Sequence, residues 1–399
     1  MNPDLHHLYE ALKNVEGFIY PNEIELNWSV LIVLYPYLTG LVAGAFILAS
    51  LERVFNVKAL KPIYVLSLLV ALAYLVVAPL PLVSHLGKPF RAYEIMMTPS
   101  ASSPMAIFGF VYLWYLMVVL LLEIWFEYRK DFVIWSKEKK GILGWVYKML
   151  TLGVTDISPE SLAVDRKIGY IITVIGIPSA FLLHGYVGFI FGSVAANPWW
   201  SSVMMPVIFL FSAIVSGIAL VMFFYIAIQF IRKKAPDIQC LDTISKYLFY
   251  MLIIDFTLEA LDQIHRFYES EESFEIISMM MSGQLYLTLF TMQIVVGTII
   301  PLAILAFFQF YKPIEPIRRL TYFIISFFVL VGIFFMRWNV VIGGQLFSKS
   351  FYGFTSFKLG LIGPDSILMT MVWIIVPFLI LAFLLWFLPP WNKMEEVQN

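Results

Sequence analysis

Nine stretches of about 20 or more mostly apolar residues, each long enough to cross roughly 30 Å of hydrocarbon as a helix, dictate what this chain becomes. They run approximately Trp28–Ser50, Pro62–Ser84, Met105–Phe126, Ile168–Gly192, Val203–Ile231, Thr243–Phe267, Leu285–Phe310, Leu320–Ile342 and Ile367–Phe387. With 61% of its 399 residues hydrophobic and only 13% charged, the chain has more apolar surface than one water-soluble core can hide. Lipid must cover the rest, so the expected fold is an all-α, polytopic membrane protein of about nine transmembrane helices. The first 26 residues are polar and interrupted by Pro3 and Pro21, so the first membrane helix is expected to act as its own insertion signal.

The charges that remain lie in the connections, and their placement sets an orientation. Alternate connections carry seventeen Lys and Arg residues (Arg53 to Lys61, Arg129 to Lys167, Arg232 to Lys234, Lys312 to Arg319), against six in the other set: Lys13, Lys88, Arg91, Arg266, Lys349 and Lys358. Basic connections stay on the cytoplasmic side, which predicts an N-terminus outside and a C-terminus in the cytoplasm of the cell membrane. WVYKMLTLG, inside the longest basic connection, has the pattern of an interfacial amphipathic helix or of a solvated retention signal. A net charge of −1 gives no basic excess for nucleic acid. The single cysteine, Cys240, excludes disulfides and a cysteine-ligated cluster within the chain, so any iron–sulfur centre must belong to a partner.

Ionisable groups inside membrane segments are costly, and each is a candidate for function. His85 ends the second stretch and His184 sits in the outer half of the fourth. Two imidazoles at similar depth suit a haem iron, a quinone carbonyl or the headgroup boundary. Four stacked histidines would be needed for two haems, and only His85, His184 and His265 lie in or beside the membrane. The polar ledge SHLGKPFRAYEIMMTPSASSP, Ser84 to Pro104, adds Lys88 and Arg91 as donors to a carbonyl or a lipid phosphate. HGYVG joins an imidazole to the Tyr186 phenol across Gly185, and Tyr35 and Tyr37 flank Pro36 in the first stretch, with Gly40 and Gly44 following at a spacing that predicts close helix contact. On the sixth stretch Asp255, Glu259, Asp262 and Arg266 fall on one face, either paired with Arg337 of the eighth as a structural ion network or wetted as a proton path. Gln293 is a further buried polar group, suited to an inter-helix hydrogen bond. The Trp199–Trp200 pair and an acidic loop, Glu269 to Glu275, belong to the same outer face.

The order WSVLIVLYPYLTGLVAGAF, then HLGKPFRAYEIM with SPMAIFGF, then HGYVGFIFG with NPWWSSVMMPVIFLFSAIVSGIAL resembles the NrfD/PsrC family, the membrane anchors of polysulfide reductase-like enzymes. The later segments, with Gly283, RWN and GPD, resemble the longer HybB-like members. The resemblance implies two four-helix bundles, 28–192 and 203–342, after an extracytoplasmic segment 1–27 and before an outer loop and C-terminal helix at 343–399. It implies a menaquinone-type quinone at the outer face of the first bundle and no haem in the anchor. By position it matches Tyr35, the His85 to Arg91 exit motif and His184 to family positions; with Tyr37 and Tyr186 from the reading above, Tyr35, His85, Lys88, Arg91 and His184 make up the expected quinone-binding set. Tyr35 stands where some relatives have a histidine, and Gln293 and Asp365 where HybB-like chains carry glutamates.

The expected function is that of a quinone-reactive anchor, inert as an oxidoreductase by itself, exchanging electrons with an iron–sulfur subunit at the extracytoplasmic face. The large catalytic partner is expected to be a molybdopterin enzyme of the sulfur or polysulfide type. A nickel–iron hydrogenase is the alternative partner. A different class of function is a proton- or ion-translocating subunit that uses Asp255, Glu259 and Asp262.

Overall fold

A computed structural model describes residues 13, 15–18, 26, 28–98, 102, 104–269, 274–348, 350–355, 357–358, 360–363 and 365–391. Most of the expected 1–27 segment, positions 99–101 and 103 of the polar ledge, and 270–273 of the acidic loop lie outside these residues.

The apolar runs fold as helices because a helix satisfies its own backbone where no water is available. In chain order they are α1 (Val30–Arg53), α2 (Lys61–Val77), α3 (Leu80–His85), α4 (Pro104–Trp114), a π-helical turn (Tyr115–Leu120), α5 (Leu121–Glu138), α6 (Gly141–Leu150), α7 (Pro159–Gly192), α8 (Met205–Ile231), α9 (Ile238–Glu269), α10 (Phe274–Ser282), a π-helix (Tyr286–Ile299), α11 (Ile300–Phe310), α12 (Glu315–Val341) and α13 (Ile367–Phe387). Three of them start on serine caps: Ser29, Ser158 and Ser366 accept backbone N–H bonds from Leu31, Ser161 and Met369 at 3.2, 3.3 and 3.2 Å. Among the described residues, eight helical segments are long and apolar enough to span a membrane. The ninth expected span, α9, has 32 residues but carries Lys246, Asp255 and Glu259 along its length, so its composition sets it apart.

Side-chain pairs sort the helix termini into two ends. At one end Ser29 and His85 both meet Asp365, at 2.6 and 2.8 Å, and the Trp28 amide donates to Gln345 at 3.1 Å. At the other, Arg53 meets Glu127 at 3.3 Å, Arg129 meets Asp165 at 2.5 Å, and Asp242 takes Arg318 and the Tyr322 hydroxyl. Successive spans therefore alternate in direction.

Helix α1 is the axis of the molecule, packed against α2, α7, α8 and α12. Its apolar window is 89% buried, whereas that of α13, which returns to lie on α2, is 22% buried and faces outward. Helices α1, α2, α5 and α7 pack together, and α8, α9, α12 and the π-helix with α11 form the rest. Helix α8 joins the two, packing on α1 and α7 as well as on α9 and α12, with its most extensive contact where it crosses α1. The spacing of Gly40 and Gly44 places backbone against backbone there: a Cβ on Gly44 would lie 2.1 Å from the Ala213 carbonyl oxygen, and one on Gly217 2.3 Å from the Ala45 nitrogen. A two-stranded antiparallel pair, β1 (Glu16–Phe18) with β2 (Tyr352–Phe354), ties the N-terminal segment to the loop before α13. The all-α expectation did not include it.

Candidate functional site

His184 is fully buried, and it faces Arg337 of α12 with Nε2 3.0 Å from Nη2. A guanidinium only donates, so Nε2 is the acceptor and the ring proton sits on Nδ1. Arg337 is equally buried. Its Nη2 also donates to Ser212 Oγ at 2.6 Å and to the Phe209 carbonyl at 3.3 Å, and its guanidinium carbon lies 3.8 Å from the Phe209 ring centre. The same Phe209 ring stacks on His184 at 5.8 Å. Gly40 closes the other side, since a Cβ there would sit 3.0 Å from His184 Cε1. His184 is thus a core residue joining α7 to α12 through α8.

The expected pairing of Arg337 with the α9 carboxylates takes another form. Arg337 makes no direct ion pair with them; Asp255 and Glu259 act on it through space, and Asp255 Oδ1 has no hydrogen-bond partner among the described residues. Asp262 instead accepts from Arg266 Nε at 3.0 Å and from Ser202 Oγ, while Arg266 Nη1 donates to the Pro198 carbonyl at 2.5 Å. Glu259 accepts from Gln293 Nε2 at 3.0 Å, and Gln293 Oε1 accepts from Asn339 at 2.8 Å. Gln293 is the inter-helix bridge its position predicts. Two indoles complete the frame, with Trp199 and Trp200 donating to the Asn339 and Val340 carbonyls at 2.8 and 2.6 Å.

Several of these groups border a cavity of about 410 Å³ between α8, α9, α10, the π-helix and α12. Its lining is mainly apolar, including Phe256, Met281, Leu289, Phe290, Ile294 and Met336, and Glu259, Gln293, Asn339, Asp262 and Arg266 also border it. Asp262 and Arg266 also border a second hollow of about 800 Å³, lined by Pro198, Ser201, Ser202, His265 and Tyr268. The Asp262–Arg266 pair therefore borders both hollows.

Of the residues expected to surround a quinone in the first bundle, Tyr35 lies near Tyr186, and α1 meets His184 at Gly40. His85 is held by Asp365, Arg91 is exposed and paired with Glu94 at 2.7 Å, and Lys88 is exposed. Tyr35 is 4% exposed in the core, Tyr37 donates to the Leu330 carbonyl at 3.2 Å, and the half-buried Tyr186 stacks on Phe189 at 6.1 Å. His184 and His85 have different partners, Arg337 and Asp365 respectively. Sequence reasoning also passed over Glu123, a carboxylate only 1% exposed that accepts from Tyr64 at 3.0 Å and Thr173 at 2.7 Å. An acidic residue at the end of an apolar run, one turn before Glu127, is the signal that was there to use. No group of three or more His, Cys, Asp or Glu side chains among the described residues is placed to hold a metal ion.

Comparison with known proteins bears on all of this, because residues 21–349 match the family described as polysulphide reductase, NrfD. The chain belongs to the NrfD family. Among the relatives of this NrfD-family protein, a selenate reductase subunit of Mesobacillus selenatarsenatis is 35% identical over 50% of this chain and 48% of its own length. A putative dimethyl sulfoxide reductase membrane subunit of Halobacterium salinarum is 29% identical over 49% and 42%. Protein NrfD of Escherichia coli is 31% identical over 49% and 58%. The chain thus spans about half the length of the curated relatives it matches. Family and helices together make it a multi-pass membrane protein.

Proposed function

We propose that this NrfD-family protein is the membrane subunit of a respiratory reductase complex, and that a menaquinone-type quinol exchanges electrons there with an iron–sulfur partner subunit. The observation that carries the reading is the 410 Å³ cavity, mainly apolar in its lining and bordered by Glu259, Gln293, Asn339 and Arg266. Ligand sites for compact organic molecules fall at roughly 300–1,000 Å³ with that distribution of groups. The donor set also fits a quinone: Gln293 and Asn339 present amide N–H groups and Arg266 a guanidinium for ring oxygens, and Glu259 offers a carboxylate oxygen for a proton. A bound quinol supplies two electrons and two protons, and the protein supplies position and proton acceptors.

Each residue has a separable part. Asp262 holds Arg266 at the border of the cavity, the aromatic side chains supply apolar surface for a ring, and the Gln293 bridge fixes Glu259 through Oε2. The Ser29 end is the extracytoplasmic one by the balance of basic residues, and an electron-transfer partner docks there. That partner's own catalytic subunit is a molybdopterin enzyme of the sulfur or polysulfide type, in line with relatives named as selenate and dimethyl sulfoxide reductase subunits. A nickel–iron hydrogenase is the competing partner, and the proteins that copurify with a tagged chain decide between them. A proton-translocating role finds one specific support, the buried Asp255 oxygen without a partner among the described residues; Asp255→Asn would then stop proton movement in proteoliposomes while leaving quinol turnover intact.

The test is quinol oxidation by the intact complex. Glu259→Gln is expected to lower kcat about 100-fold or more with assembly preserved, the usual scale for a lost proton acceptor. If Glu259→Gln turns over normally while His85→Ala or Tyr35→Phe abolishes the rate, the quinone belongs at the polar ledge of the first bundle and the chamber reading is wrong.

A further inference from the structure

Helix α6 folds back against the membrane boundary, because Trp125, at the end of the Met105–Phe126 apolar stretch, meets its last residue, Leu150. Helix α5 ends at Glu138, and α6 begins at Gly141 after a turn in which Gly141 takes φ +73°, a conformation open to glycine. One face of α6 is fixed to the protein. A Cβ on Gly144 would lie 2.0 Å from the Lys139 carbonyl oxygen, Tyr147 donates to the Phe387 carbonyl at 2.8 Å, and Trp125 donates to the Leu150 carbonyl at 2.7 Å. The opposite face carries Ile142, Trp145 and Met149 at a spacing of three and four, followed by Leu152, with exposures of 83, 62, 57 and 71%. Lys139, Lys140 and Lys148 are exposed around it, and Glu138 is the one acidic residue between Lys137 and Lys148.

We infer that α6 is an interfacial helix that binds anionic phospholipid: Ile142, Trp145, Met149 and Leu152 enter the headgroup–acyl boundary while Lys139, Lys140 and Lys148 pair with lipid phosphates. An apolar stripe flanked by lysines is the pattern that lies in, rather than across, a bilayer surface. A second protein would need to cover a rigidly held helix lying beside the end of a membrane span. Lipid already surrounds that span, and the local positive charge complements an anionic headgroup rather than a zwitterionic one.

The full chain in nanodiscs of phosphatidylcholine with phosphatidylglycerol tests the inference, with retained lipid counted by native mass spectrometry. Wild type is expected to retain the anionic lipid preferentially. Replacing Lys139, Lys140 and Lys148 together by Gln should reduce that preference by about tenfold or more, while the same three changes to Arg should preserve it. In nanodiscs with brominated acyl chains, the difference in emission between wild type and Trp145→Phe should be quenched. Equal retention of the two lipids by wild type, an unchanged preference in the Gln variant, or a Trp145 signal quenched only when partner subunits are removed or added, rather than by bromolipid, would each overturn it.

Discussion

The crossing of α1 and α8 offers the most direct test of how the fold positions the site. A methyl group added at Gly44 has to occupy a point 2.1 Å from the Ala213 carbonyl oxygen and 2.8 Å from Gly217 Cα, where ordinary contact is 3.4–4 Å. Neither obstacle is the end of a flexible side chain; both are backbone, so the helices must part by roughly 1 Å or more. Helix α1 is packed on several sides, and both it and α8 pack against α12, so the movement propagates. Overpacking of this kind costs about 1–3 kcal/mol, and the backbone obstruction puts Gly44→Ala at the upper end. The measurement is equilibrium unfolding in detergent micelles. Gly217→Ala should cost a similar amount, and the double variant less than the sum of the two, because the first methyl has already separated the helices. Gly185→Ala is the internal control, since a Cβ there meets nothing within 4 Å. Parting α1 from α8 also shifts Phe209 and Ser212, which hold Arg337, so a functional loss should accompany the destabilisation. A Gly44→Ala protein within about 0.5 kcal/mol of wild type, the range of an ordinary surface change, would show that the two helices are not in backbone contact.

Arg337→Met should cost about 1–3 kcal/mol in the same unfolding assay, because the buried His184 Nε2, Ser212 hydroxyl and Phe209 carbonyl lose their donor. The coupling between Arg337→Met and His184→Phe in a double-variant cycle should be at least about 0.5 kcal/mol, and additive losses would mean that the 3.0 Å contact carries no energy. Trp200→Phe should cost about 1 kcal/mol through the lost bond to the Val340 carbonyl while keeping the ring stack on Trp28 at 5.2 Å. In the loop before α7, bonds from the Ser158 amide and hydroxyl hold the Asp156 carboxyl below its ordinary value of 3.8. A lowered carboxyl pKa stabilises above the unfolded value and loses that effect as pH falls through the folded one. Hydrogen exchange at Ser158, corrected for intrinsic rate, should therefore accelerate below about pH 4 in wild type and show no such step in Asp156→Ala.

How much of this was legible beforehand follows from what kind of force fixes each feature. Helix existence was legible because a 20-residue apolar run in lipid has one way to satisfy its backbone, and the alternation of ends follows from it. The Gly40–Gly44 contact was legible because small residues at that spacing have one structural use. The composition of the polar core was legible too: His184, Arg337, Asp255, Glu259, Asp262 and Gln293 all stand out in the sequence, since each ionisable or amide group in an apolar run demands a partner. The choice of partner was hidden, because partners come from helices more than 100 residues apart, as Arg337 and Ser212 do, and one turn of rotation exchanges one for another. Depth alone paired His184 with His85. Its contacts are with Gly40, Phe209 and Arg337, while His85 meets Asp365.

The same logic explains why the chamber lies where it does. A bundle of apolar helices closes on itself unless something holds its members apart, and here the π-helix at Tyr286–Ile299 displaces its side chains relative to an α-helical register, with Gln293 and Phe290 turned toward α9. Gly297 packs against Gly332, a Cβ on Gly297 lying 2.2 Å from the Gly332 Cα, so the π-helix and α12 are clamped together below the chamber. Above it, Trp199 and the Asp262–Arg266 pair brace α9 against the loop leading into α8. The gap between clamp and brace is where apolar walls meet the Gln293 and Asn339 amides. Gly332→Ala should therefore act on the chamber from a distance: if the clamp sets the width, this change will raise the KM for quinol with assembly intact, and an unchanged KM would mean that the π-helix holds its shape without it.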